Sequence, residues 1–296
     1  MERLRRTMMF VPASNAGMLK DAGLYGADTI MFDLEDSVAL TEKDTARFLL
    51  YQALKTFDYD ESEVLVRINA LSDGGIDDIR AMVRAGVDGI RSPKTETAQD
   101  IHDIEEVIYE TEKAIGKEIG STKIFAAIEG PSGVLNAREI ANASSRMIGI
   151  AIGGEDYTTA MGTHRYFDRN GEELYFARSM IVHAAREAGI SAVDTVFADI
   201  NDMKNLQRET ELIKQLGFDG KSVINPRQIP YVNEVFKPTQ EELDHAQRVL
   251  IAVKEAEKQG RGVVVVDGKM VDGPIIEDAR VIVKLAKATG VRKGTV

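Results

Sequence analysis

Eight short apolar runs, each followed by a segment of helical or turn character, constrain this chain more than any other feature. The runs are TMMFVPA (7–13), TIMFDLE (29–35), EVLVRIN (63–69), GIRSPK (89–94), KIFAAIE (123–129), MIGIAIGG (147–154), TVFADI (195–200) and KSVIN (221–225). Most are continuous rather than alternating, the pattern of strands covered on both faces. Between them, EKDTARFLLYQAL, ETAQDIHDIEEVIYETEKAI, YFARSMIVHAAREAG and DMKNLQRETELIKQLG have helical character, and Gly217 is placed to end the last. Strand and helix alternating eight times predict an α/β fold, a (β/α)₈ TIM barrel. An open doubly wound sheet is the competing arrangement. The polar residues favour the barrel. Glu35, Asp36, Arg67, Asn69, Lys94, Glu129 and Asp156 all fall at or just past the C-terminal ends of their strands. In a barrel those ends form one rim, where active sites are built.

The barrel is expected over residues 1–230, and the pattern changes over 231–296. Thr239 and Glu242 make a capping box for a helix running to about Gln259. Asp267-Gly268 then turns a hairpin in VVVVDGKMV, and a last helix spans roughly 274–288. This helix–hairpin–helix extension is too small for a core of its own. It reads as a cap or exchange arm that packs on the barrel or on a neighbouring subunit.

Composition narrows the function. Against 37 basic residues stand 48 acidic ones, a net charge of −11, which argues against nonspecific nucleic-acid binding. The chain has no cysteine, which excludes disulfides, thiolate nucleophiles and Cys-ligated zinc. No run approaches the ~20 apolar residues of a membrane span. MMFVPA is too short for a signal-peptide core, so the expectation is a soluble, cytoplasmic protein.

Glu129 closes KIFAAIEG, and Glu155-Asp156 follow the next strand in GIAIGGED; both strands lead into glycine. Hard oxygen donors on neighbouring strands suit Mg²⁺, which takes one or two carboxylates and completes its shell with water and substrate. Spacing does not separate Glu155 from Asp156 as the second donor. Arg67 interrupts an apolar strand, a costly placement unless it meets an anion, either a rim carboxylate or a substrate carboxylate. In DLEDS, alternation puts Asp33 and Glu35 on one face and Asp36 on the other. Glu35 and Asp36 are candidates for acid–base work or for supporting the metal, or one of them caps the next helix. Lys94 suggests a salt bridge or a phosphate contact rather than a Schiff base. Asp272 by itself reads as a turn residue or helix cap. Arg3, Arg5 and Arg6 read as solvated surface charges before they read as contacts to an acidic partner. No role is assigned to His102, His164, His183 or His245.

FVPAS, FDLEDSV, VRIN, IEGPSG, GGEDY and GKSVINPRQI follow in order, and DGKMVDGP closes the tail. With these motifs the chain resembles the citrate lyase β-subunit family, citryl thioester lyases of the HpcH/HpaI aldolase superfamily. The resemblance covers essentially the whole chain. It implies a (β/α)₈ barrel, Mg²⁺ held by Glu129 and Asp156, substrate contacts from Arg67 and Glu129, and a catalytic Asp272 reaching a neighbouring subunit. It further implies a retro-Claisen cleavage of citryl thioester to oxaloacetate and acetyl thioester. The implied partners are an α subunit and an acyl carrier (γ) subunit presenting the thioester, or CoA in its place, with a homo-oligomer, trimer-based as one option. A malyl-CoA or related lyase or thioesterase of the same superfamily is the alternative, and a noncatalytic scaffold for a carrier protein is a more remote one.

Overall fold

A computed structural model describes residues 3–59, 61–169, 171–258 and 264–291. Eight parallel strands close a barrel in sequence order: β1 (Thr7–Pro12), β2 (Thr29–Asp33), β3 (Glu63–Arg67), β4 (Gly89–Ser92), β5 (Lys123–Ile128), β6 (Met147–Ile152), β7 (Ser191–Asp194) and β8 (Gly220–Val223). β1 pairs with both β2 and β8, so the sheet has no edge and the open-sheet alternative is excluded.

The helices of this unit are α1 (Ala16–Asp21), α2 (Lys43–Thr56), α3 (Gly75–Ala85), α4 (Ala98–Ile115), α5 (Pro131–Leu135), α6 (Ala137–Ala141), α7 (Gly154–Ala160), α8 (Tyr175–Ala188), α9 (Met203–Leu216) and α10 (Ile229–Phe236), the last of which crosses the unit boundary. Gly86, Gly116, Gly189 and Gly217 end α3, α4, α8 and α9 in the left-handed conformation.

Met8, Met31, Leu65, Phe125, Ala151 and Val193 fill the barrel core. Gly149 is required there, because a Cβ would lie 2.3 Å from the Phe125 ring. Arg5 and Arg6 are not the solvated charges expected from sequence. They grip Glu63 and Asp28 at 2.7 and 2.8 Å, bracing the starts of the strands, at the end opposite the rim.

The strand expected at 195–200 is a loop; the strand is Ser191–Asp194, all four residues buried. Sequence misplaces it because Asp194 has low strand propensity. In the fold, Asp194 is wholly buried and ion-paired with Arg178 at 2.8 Å and Lys221 at 2.7 Å. Those cations hold its carboxyl far below the usual range although burial pushes it up. Glu209 joins Arg178, Lys221 and Arg165 to the same buried network.

The chain divides into two compact units, Met1–Asn233 and Glu234–Val296. The second contains α11 (Gln240–Lys258), an antiparallel hairpin of β9 (Val264–Val266) and β10 (Lys269–Val271), and α12 (Gly273–Ala288). Thr239 and Glu242 form the expected capping box ahead of α11, while the predicted end at Gln259 lies outside the described residues. Asp267 and Gly268 turn the hairpin with φ of 49° and 76°, both positive as this tight turn requires.

Candidate active site

A cavity of about 450 Å³ opens at the C-terminal rim of the barrel. Arg67, Asp36, Glu129 and Asp156 line it together. Glu35 borders a neighbouring cavity that it shares with Asn69 and Lys94. Asp272 belongs to the second unit, where its Oδ1 accepts from Ile275 N at 3.3 Å and caps α12. None of the four histidines lines the rim cavity.

Glu129 follows β5 and is only 5% exposed. Its Oε2 is buried without a hydrogen-bond partner. Burial pushes the carboxyl up to about 7, with nearby Arg91 pulling the other way. A Cβ on Gly153 would lie 2.6 Å from Glu129 Cγ, so only glycine leaves room for this side chain.

Asp156 lies in the first turn of α7, and among the described residues its side chain makes no hydrogen bond or ion pair. Its neighbour Glu155 is paired with Arg165 Nη1 at 3.4 Å. Arg165 is itself fixed by Glu173 and Glu209 at 3.0 Å each. The loop is tied down again where Gly154 N donates to Thr195 Oγ1 at 2.8 Å.

Arg67 is held on three sides. Asp33 takes Nε and Nη2 at 2.7 Å each, while Nη1 meets Glu35 at 2.9 Å and Asp36 at 3.2 Å. The expectation that Asp36 faces away from Asp33 and Glu35 is therefore wrong. β2 ends at Asp33, strand alternation lapses in the turn, and all three acids converge on one guanidinium. Burial pushes the Asp33 carboxyl up, but Arg67 outweighs it and holds it below its ordinary value. Glu35 is the reverse, raised by burial against the pull of Arg67. Lys94 pairs with Glu35 at 3.3 Å, and that carboxylate raises its pKa, the wrong direction for a Schiff-base amine.

Two further charged residues, Asp33 and Arg91, line the cavity. In DLEDS the sequence does not separate Asp33 from its neighbours Glu35 and Asp36. Arg91 carried the signal that singled out Arg67, a guanidinium interrupting an apolar strand. It is 3% exposed and lines the cavity. Burial lowers its pKa to about 10, so it remains cationic at neutral pH.

Among the described residues no group of three or more His, Asp or Glu side chains is arranged to hold a metal. Glu129 and Asp156 nevertheless fit Mg²⁺, whose shell needs only one or two protein carboxylates. A buried carboxylate with an unpartnered oxygen and a raised pKa is what a hard cation would relieve.

A closed parallel barrel with an acidic and guanidinium-lined cavity at its C-terminal rim defines a (β/α)₈-barrel enzyme. A family model described as HpcH/HpaI aldolase/citrate lyase matches residues 6–226. Citrate lyase subunit beta of Leuconostoc mesenteroides subsp. cremoris is 58% identical over 288 residues, 97% of this chain and 95% of that protein. Citrate lyase subunit beta of Escherichia coli (strain K12) is 53% identical over 292 residues, 98% of this chain and 96% of that protein. Among solved structures, CitE from Mycobacterium tuberculosis in complex with magnesium, acetoacetate and coenzyme A matches with a TM-score of 0.79 and 29% identity. That match covers 97% of this chain and all of the other. The chain belongs to the HpcH/HpaI aldolase/citrate lyase family.

Proposed function

We propose that this chain is the Mg²⁺-dependent lyase subunit of a citrate lyase, cleaving a citryl thioester to oxaloacetate and an acetyl thioester. The observation that carries this reading is Glu129, a buried carboxylate with an open oxygen on the same cavity as Asp156 and two guanidinium groups. Glu129 and Asp156 would hold Mg²⁺, which when bound supplies Lewis acidity toward the substrate hydroxyl and its adjacent carboxylate.

The chain's own groups do the rest. The hydroxyl proton passes to solvent water in the cavity, the carbon–carbon bond breaks with its electron pair passing to the thioester as an enolate, and the hydroxyl oxygen becomes the keto oxygen of oxaloacetate. Arg67, preorganised by Asp33, offsets negative charge on the substrate. Glu35 and Asp36 serve to orient Arg67. Asp272 is assigned the proton that converts the enolate to the acetyl thioester, acting from the second unit of a neighbouring subunit. The partners are accordingly an acyl carrier subunit, or CoA, presenting the thioester, and an α subunit supplying the citryl group.

The test is oxaloacetate release from carrier-linked and CoA-linked citryl thioesters, with and without Mg²⁺. Release that requires Mg²⁺ is expected; no release from either substrate would overturn the reading.

A further inference from the structure

Four deeply buried arginines invite comparison. Arg146 is paired with Glu112, Arg165 with Glu173 and Glu209, and Arg178 with Asp194, all within about 3 Å. Arg91 differs. Among the described residues it has no carboxylate at ion-pair distance, and its Nε has no hydrogen-bond partner. Among the described residues the guanidinium's one hydrogen bond runs from Nη1 to Met8 Sδ at 3.4 Å, a weak acceptor.

Aromatic rings flank this guanidinium, and the nearest opposing charge, Glu129, acts on it from beyond ion-pair distance. The guanidinium centre lies 5.2 Å from the Phe10 ring centroid and 5.8 Å from that of Phe125. Arg91 is in register with Arg67 on β3 and Phe125 on β5, on the inner face of the barrel. Arg67 also meets the Phe10 ring at 5.2 Å, but its fork is already occupied by Asp33. Arg91 is thus an ionised donor with an open edge on the cavity, in a setting where an unpaired charge is costly.

A citryl group carries two free carboxylates. One adjoins the hydroxyl carbon; the other ends a CH₂COO⁻ arm that a malyl thioester lacks. We propose that Arg91 binds the distal carboxylate of that arm and so selects citryl over malyl thioesters. This rests on the lyase reading above and adds the feature that sets its substrate. A site built to pair a charged group rejects an analogue lacking it, because the site's own buried charge is then left uncompensated.

Oxaloacetate and pyruvate differ by this one carboxylate, which makes them the probes. Each is titrated calorimetrically, with Mg²⁺ present, into the full-length wild type, Arg91→Met and Arg91→Lys. The wild type should bind oxaloacetate more tightly than pyruvate by roughly tenfold or more. Arg91→Met, an apolar replacement between Phe10 and Phe125, should abolish that preference, read as the ratio of the two affinities in the same variant. Arg91→Lys should restore part of it. A wild type without preference, a Met variant that keeps it, or equal loss of both ligands would overturn the assignment. Citryl thioester cleavage is followed on the same wild-type sample. Selective oxaloacetate binding without cleavage would overturn the lyase reading and leave Arg91 as a dicarboxylate-selecting residue.

Discussion

Arg67 donates from Nε and Nη2 to both oxygens of Asp33 at 2.7 Å, a two-pronged contact between neighbouring strands at the mouth of the barrel. It fixes the guanidinium plane before any substrate arrives, so Asp33 acts through Arg67 rather than on the substrate. Asp33→Asn removes the charge while keeping the shape. It is expected to destabilise the protein by about 3 kcal/mol, the cost of breaking a buried pair. It should also lower kcat/KM by roughly 100-fold by loosening Arg67. Chemical denaturation and steady-state kinetics check both; an unaltered kcat/KM would separate Arg67 orientation from catalysis.

Glu155 and Asp156 are adjacent carboxylates in different situations. Glu155 is claimed by Arg165, whereas Asp156 is uncommitted on the cavity wall. Asp156→Asn should therefore weaken Mg²⁺ binding by roughly 100-fold or more, and Glu155→Gln by roughly tenfold at most. Calorimetric Mg²⁺ titration of both variants decides between them. The reverse ranking would move the second ligand to Glu155.

Asp272 caps α12, so a stability loss in a variant could be mistaken for a catalytic one. Asparagine caps as well as aspartate but carries no proton to give. Asp272→Asn should keep its melting temperature and lose at least roughly 10- to 100-fold in cleavage rate. Full activity would reduce Asp272 to its capping role.

Acid stability should depend on Glu112, buried on α4 away from the rim. Burial alone pushes its carboxyl up, yet Arg146 at 2.7 Å and the Thr122 and Gly120 amides outweigh it and hold the pKa at about 2, against an ordinary 4.5. Because the folded value is depressed, the stabilisation is present above 4.5 and is lost as pH falls toward 2. A displacement of this size corresponds to about 3 kcal/mol. Glu112→Gln should flatten the loss of stability across that window, as read by urea denaturation at successive pH values. An unchanged slope would contradict the assignment.

The barrel was legible because continuous apolar runs and helical segments alternate, and because the rim acids sit where those runs stop. Glu129 and Arg67 were visible for the same reason: each is a charge at the end of an apolar strand. Relations between separate segments were not. Nothing in the sequence ties Arg165 to Glu155, or directs Asp36 back toward Arg67, since each contact depends on how a loop folds after its strand ends. Asp194 concealed β7, because its cost inside a strand is offset only by Arg178 and Lys221, which come from other elements. For Arg91 the sequence shows a guanidinium ahead of the strand end Ser92-Pro93-Lys94 and nothing of what it meets. Its lack of a carboxylate partner emerges only in three dimensions.

The most direct test is the rate of oxaloacetate release by Glu129→Gln beside wild type, across a Mg²⁺ titration, with circular dichroism to verify the fold. The wild type should be active only with Mg²⁺, and the folded variant should be slower by roughly 100-fold or more at every Mg²⁺ concentration. Release by the wild type without a divalent ion, or a variant as fast as wild type, would contradict the account.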